Sequence, residues 1–229
     1  MSGWTAFPHP RYAFDAATLH LHWPALHVAD AEPLPGDAAL LAAWAAFHAG
    51  DFEAACAQGL ALGSAGQAVA NRAQLVHAAF VEPSEALRNE LYTSMVARCE
   101  RWSAAEPGRA NAHYLLATAL DRYALGLSVA QGLAQGIGMR VRSALETALR
   151  LRPGHAWAHA ALALHHGEVI DKVGSLLGRT QGTSKDAGIS HLRQALRLAP
   201  DDALVLTHCA EAVLMLEGER ALPESEQLY

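Results

Sequence analysis

Apolar residues recur along this chain at intervals of three and four. Val141, Ala144, Leu145, Ala148 and Leu149 follow an i, i+3, i+4, i+7, i+8 spacing, and Ala112, Leu115, Leu116, Ala119, Leu120 and Tyr123 repeat it. That period turns one side of each segment towards a core, as an amphipathic α-helix requires. Strict alternation is confined to 19–23, too brief to found a sheet. Together with the breakers, the pattern predicts helices over 37–49, 52–63, 66–81, 84–105, 110–125, 130–151, 156–177, 185–198 and 203–217. The fold class is all-α, with about nine helices. Residues 1–36, rich in aromatic side chains and proline, predict an arm with a short helix near 12–28 that caps the apolar end of the helices. Residues 37–217 form one continuous repeat domain, and 218–229 an acidic, frayed tail.

Three stretches share one plan: 102–120, 144–164 and 191–210. In each, a helix ends, a proline follows, and an alanine-rich helix begins shortly after, because proline cannot continue the helix before it. Pro107, Pro153 and Pro200 stand 46 and 47 residues apart. The ALxLxP turn followed by a helix resembles the tetratricopeptide repeat, whose usual period is about 34 residues. Ala148, Leu149 and Leu151 match that pattern before Pro153, and Ala195, Leu196 and Leu198 match it before Pro200. Gly50, Asp51 and Phe52 match the turn inside an earlier unit, with Ala55 as the small residue of its second helix. The consensus Trp and Gly of the first helix are replaced by His113 and Ala117, then by His159 and Ala163. Extra residues at 126–140 and 173–184 account for the longer period. Extended repeats of this kind resemble uncharacterised proteobacterial tetratricopeptide proteins, with 111–129 and 159–188 carrying the likeness. They resemble more distantly the T component of tripartite ATP-independent periplasmic transporters and regulator of microtubule dynamics proteins. The resemblance implies an α-solenoid of antiparallel helix pairs.

Charge and composition narrow the possible functions. The 229 residues are 52% hydrophobic and 17% charged, enough apolar material for a core, and carry a net charge of -6. No cationic excess is available to neutralise phosphates, so nucleic acid is not expected as a partner. The charge-free runs 54–71 and 123–139 are short and interrupted by Gln, Ser, Asn and Gly, so no membrane span is expected either. Residues 1–10 show no secretory pattern, and Cys56, Cys99 and Cys209 are too scattered for a disulfide framework. The expected setting is cytoplasmic.

Thirteen histidines raise the question of a metal. His155, His159 and His166 fall within about 40° of one another on a helix, but His166 lies two turns beyond His159, and no HExxH motif is present. Groove-lining or packing is the expected role, with no metal and no cofactor. The stretch 174–185 has glycines but the wrong spacing for a phosphate loop, so its glycines are expected to turn a connection. Glu168 and Lys172 form an i, i+4 pair, and Asp171 is either a surface charge or a groove residue. The cysteines read as small core residues, and no nucleophile–base set assembles from the sequence.

The expectation is a non-catalytic scaffold or adaptor that binds a protein partner, as a peptide or helix, on a concave helical face. Asn111, His113, Tyr114, Arg122, His159, His166 and Asp171 are the residues expected to line it. Self-association of the chain is a further expectation. The alternative is a small hydrophobic ligand walled by the Gly- and Leu-rich connections 126–139 and 170–182, and inward packing of those connections is its signature.

Overall fold

Short acceptor side chains start seven of the twelve described α-helices. In the computed structural model, which describes residues 4–8, 14–180 and 182–229, Asp15, Asp37, Asp51, Ser84, Ser128, Ser184 and Asp202 each accept a hydrogen bond from a backbone N–H in the helix turn that follows. One such cap contributes about 1 kcal/mol. The helices are α1 (Ala16–Leu26), α2 (Ala38–His48), α3 (Phe52–Ala61), α4 (Gln67–Phe80), α5 (Glu85–Ala105) and α6 (Ala110–Ala124). They continue as α7 (Val129–Ala134), α8 (Ile137–Leu151), α9 (Ala156–Thr180), α10 (Lys185–Leu198), α11 (Ala203–Glu217) and α12 (Leu222–Leu228), with a 3-10 turn (Glu219–Ala221) before the last. No strand occurs among the described residues.

The chain forms two compact units. The first comprises Met1–Leu26 and Pro33–Leu127, the second His27–Glu32 and Ser128–Tyr229. In the first unit α1 packs on α2, α2 on α3 and α4, α3 on α4, and α4 on α5 and α6, which also pack on each other. The connections from α2 to α6 are shorter than the helices they join, so successive neighbours run antiparallel. Trp44 is fully buried, edge-on to Trp23 and to Phe47 with 5.5 Å between ring centroids, and the Arg72 guanidinium lies 5.4 Å from the Phe47 ring. Arg98 ties α5 to α4: its Nε donates to Asn71 Oδ1 at 2.7 Å and its Nη2 to Gln74 Oε1 at 2.6 Å. Gln74 Nε2 in turn donates to the Leu91 carbonyl and Ser94 Oγ, so these buried amides are hydrogen-bonded. The N-terminal segment lies against the same unit, with Trp4 stacked on His77 at 4.4 Å and Thr5 Oγ1 donating to Glu82 Oε2.

In the second unit α9 is the centre, packed on α8, α10 and α11. The segment 27–32 joins it where the Trp157 N–H donates to the Ala29 carbonyl at 3.2 Å, and buried His27 and Asp30 pair at 3.0 Å. Small residues bring these helices close. A Cβ on Gly167 of α9 would stand 2.9 Å from Met215 Cβ, and one on Gly188 of α10 would stand 2.7 Å from Leu216 and 3.1 Å from His166 Cβ.

Three expectations change. The predicted helix 130–151 is broken into α7 and α8, because Gly136 adopts φ +63°, a left-handed turn that glycine takes without strain. The tail is ordered: α12 packs on α11, and Ser225, buried, donates through Oγ to the Ala210 carbonyl at 2.9 Å. The N-terminal helix, expected near 12–28, spans 16–26, and positions 1–3 and 9–13 of the expected arm lie outside the described residues. With α1, the α7/α8 division and α12, the described helices outnumber the expected nine.

The α3–α4 turn supplies a test. Gly59 and Gly66 meet backbone to backbone, and a Cβ on Gly66 would collide with the Gly59 carbonyl. Gly66→Ala is expected to lose about 1–3 kcal/mol in urea unfolding by overpacking. Gly108→Ala, at an exposed turn where a Cβ meets nothing within 4 Å, is the control and stays within about 0.5 kcal/mol of wild type.

Candidate functional site

Two of the expected groove residues do the same local job. His113 Nε2 lies 2.9 Å from the Pro107 carbonyl, and His159 Nε2 lies 3.0 Å from the Pro153 carbonyl. In both, an imidazole one turn into a helix reaches back six residues and takes up the carbonyl of the proline that ends the previous helix. Each proline stands in the turn just beyond the helix, where its carbonyl makes no bond of the helical ladder. The third turn is built differently: Asp202 caps α11 and accepts from Trp157 Nε1 at 2.8 Å.

In the second unit His159 and His166 of α9 meet His191 of α10. The Nδ1 atoms of His159 and His191 are 2.8 Å apart, and the rings of His166 and His191 stack with centroids 6.1 Å apart. The hydrogen bonds assign the protons. A carbonyl faces His159 Nε2, so that nitrogen carries hydrogen and Nδ1 accepts. His191 Nδ1 is then the donor. His166 Nδ1 accepts from the Ser184 backbone N–H at 3.3 Å, at the start of α10. A second ring proton on either accepting imidazole would remove its lone pair and break the link between α9 and α10. Burial, reinforced by Arg142, pushes His166 down to about 4. Burial followed by His159 and His166 does the same to His191, and His159 is lowered by burial with Arg197 adding to the effect. Beside them His165 is pushed down to about 4 by burial, then by His166, Arg142 and Lys172. Arg142 Nη1 donates to the Gly182 carbonyl at 2.6 Å and pairs with Glu146 at 3.6 Å.

These imidazoles do not converge on an ion. His155 is buried and turns Nδ1 to its own helix, accepting from the Ala158 N–H at 3.1 Å. Among the described residues no group of three or more His, Cys, Asp or Glu side chains is placed to hold a metal. Asp171 is exposed, and Glu168 and Lys172 form an i, i+4 pair at 3.9 Å. In the glycine-bearing stretch 174–185, α9 continues through a kink at Gly174 (φ +78°) as far as Thr180, and Gly182 (φ +74°) turns the chain into α10; Gln181 lies outside the described residues. All three cysteines are buried free thiols, with Cys99 and Cys209 pushed up to about 12 by burial. They are poor nucleophiles in that state.

In the first unit Tyr114 is buried and Asn111 half-buried on α6. Arg122, on the last turn of the same helix, lines a cleft of about 440 Å³. Residues of α5 that were not singled out in the sequence supply most of its polar wall. Glu85, Arg88, Asn89 and Tyr92 stand at i, i+3, i+4 and i+7, so they share one face of α5. That polar stripe at helical spacing was the available signal. Ala79 and Phe80 at the end of α4, and Leu125 and Gly126 beyond α6, complete the lining. Arg88 is anchored by Nη1, which donates to the Glu82 and Pro83 carbonyls at 2.9 and 3.0 Å. Tyr92 is 5% exposed; burial raises its phenol, and Arg122 and Arg88 act against that rise.

No family model matches the chain, and no curated protein matches it.

The histidine cluster predicts how the second unit responds to acid. An imidazole that titrates near 6.5 when unfolded and near 4 when folded takes up its proton preferentially in the unfolded chain. Its contribution to stability is therefore complete above pH 6.5 and is lost progressively as the pH falls from 6.5 towards 4. Melting temperature followed across that window by circular dichroism is expected to fall. In parallel, histidine Cε1–H resonances in NMR are expected to show three rings still neutral at pH 5.

Proposed function

We propose that this chain is a non-catalytic interaction scaffold of tetratricopeptide-like helix pairs, which holds a segment of a partner protein against its sheltered helices. The observation that carries the reading is an alternation of helix environments. In the first unit, α6 has no fully exposed residue and α4 has none before Phe80, whereas α3 and α5 each carry an exposed stripe. In the second, α9 is sheltered from Ala156 to Ile170, and α11 is sheltered beyond Ala203, while α8 and α10 are exposed along one side. Helices of the first kind are the inner members of stacked pairs, and those of the second kind the outer members. The contacts of α4 with α2 and α6, and of α9 with α11, agree with that order, as does the repeated proline–histidine link at 107/113 and 153/159.

The connections favour this reading over a ligand enclosed by them. Val129, Leu133 and Met139 are more than half exposed, and Leu176 is 79% exposed, so these side chains point away from any interior. No helix among the described residues is long and apolar enough to cross a membrane. Buried, unpaired thiols suit the reducing, cytoplasmic setting that forms part of the proposal.

Photo-crosslinking in the host tests the proposal. A photoreactive amino acid at Asn111 of the first unit, or at His159 of the second, is expected to capture a partner protein, whereas the exposed positions Glu100 and Arg193 capture none. Asn111→Ala and His159→Ala are then expected to weaken that partner about tenfold each, in the range of an interface hot spot. Capture that is equal at all four positions overturns the reading, as does a co-purified compound of a few hundred daltons with no protein captured.

A further inference from the structure

We propose that the cleft formed by the ends of α4 and α6 and the start of α5 binds a small monocarboxylate with an apolar body, of which aryl- and alkyl-acetic acids are the simplest members. The site shares Arg122 with the expected partner-binding face and is otherwise built from residues outside it. It begins with charge: the chain carries a net -6, yet this cleft sets two guanidinium groups against one carboxylate, Glu85. Arg88 commits Nη1 to two backbone carbonyls, which fixes its plane and leaves the N–H groups of Nε and Nη2 to be used. Arg122 has no hydrogen-bond or ion-pair partner among the described residues. A guanidinium presents parallel N–H donors at the spacing of a carboxylate's two oxygens.

The neighbouring groups narrow the ligand. Among the lining groups Glu85 offsets one of the two guanidinium charges, and the Asp121 carboxylate also acts on Tyr92, a balance that suits a monoanion and opposes a phosphate dianion. The Asn89 amide offers neutral donors, and Gly126 lies flat against it, since a Cβ there would stand 3.2 Å from Asn89 Oδ1. Phe80 and Leu125 form an apolar rim that is 76% and 63% exposed. A ligand body laid on them removes apolar surface from water, and 440 Å³ falls within the range of small-molecule sites.

Isothermal titration of the full chain with phenylacetate and with hexanoate tests the assignment, with phenylacetamide as the uncharged control and inorganic phosphate as competitor. Both acids are expected to bind saturably at one site, the amide not to bind, and phosphate not to displace them. Arg122→Gln is expected to weaken the acids by about ten- to a hundredfold, the scale of a charged hydrogen bond. Glu85→Gln, at an exposed position, is expected to strengthen them severalfold, so the proposal stays testable even where Arg122→Gln impairs folding. Absence of saturable binding by either acid overturns it, as does equal binding of phenylacetamide, displacement by phosphate, or a Glu85→Gln variant that binds no better than wild type. A peptide ending in phenylalanine that binds more tightly than the free acids also overturns the small-molecule assignment, placing the carboxylate at the end of a partner chain.

Discussion

Helix spacing is the constraint on which the other features rest. Gly66 against the Gly59 carbonyl in one unit, and Gly167 against Met215 in the other, leave no room for even a methyl group without displacement. At that separation side chains from neighbouring helices reach one another's polar atoms. Arg98 can hold two amides of α4 at once, and His159 can meet His191 with nitrogens 2.8 Å apart. Wider spacing replaces those bonds with water or voids, and a close-packed interior tolerates neither well.

The same closeness explains how the second unit buries so many histidines. A neutral imidazole sets one donor and one acceptor nitrogen on opposite sides of a rigid ring without carrying charge. Placed between α9 and α10, it joins the helices through lone pairs at His159 and His166. A lysine or a carboxylate at these positions brings a charge that burial penalises. In the first unit cations are kept, either hydrogen-bonded to amide oxygens, as at Arg98, or facing a cleft, as at Arg122.

Much of the fold was legible in the sequence because periodicity and breakers are local. The helices from α2 to α6 and from α9 to α11 lie within a few residues of their predicted bounds, and the prolines at 107, 153 and 200 mark turns. Gly136 was visible as a residue, but its left-handed conformation depends on where α7 and α8 are held. The helix at the tail was missed because its hydrophobic content is slight, and its anchor is the buried hydroxyl of Ser225. The candidate sites were less legible. His159 and His166 were found as residues but not as partners of His191, which lies on another helix. Of the cleft, only Arg122 was singled out, because Arg88, Asn89 and Tyr92 read as an ordinary polar face until α6 is placed beside them.

The allocation of residues 27–32 to the second unit bears on synthesis. The Ala29 carbonyl leaves the ribosome well ahead of the Trp157 N–H that it pairs with, and all of α2 to α8 are made in between. At about 5–20 residues per second, that segment waits on the order of ten seconds for its partner. The first unit therefore completes its sequence while the 27–32 segment of the second is still without its partner. No single cut separates the two units with both intact, so truncation between them strips the second unit of its 27–32 segment.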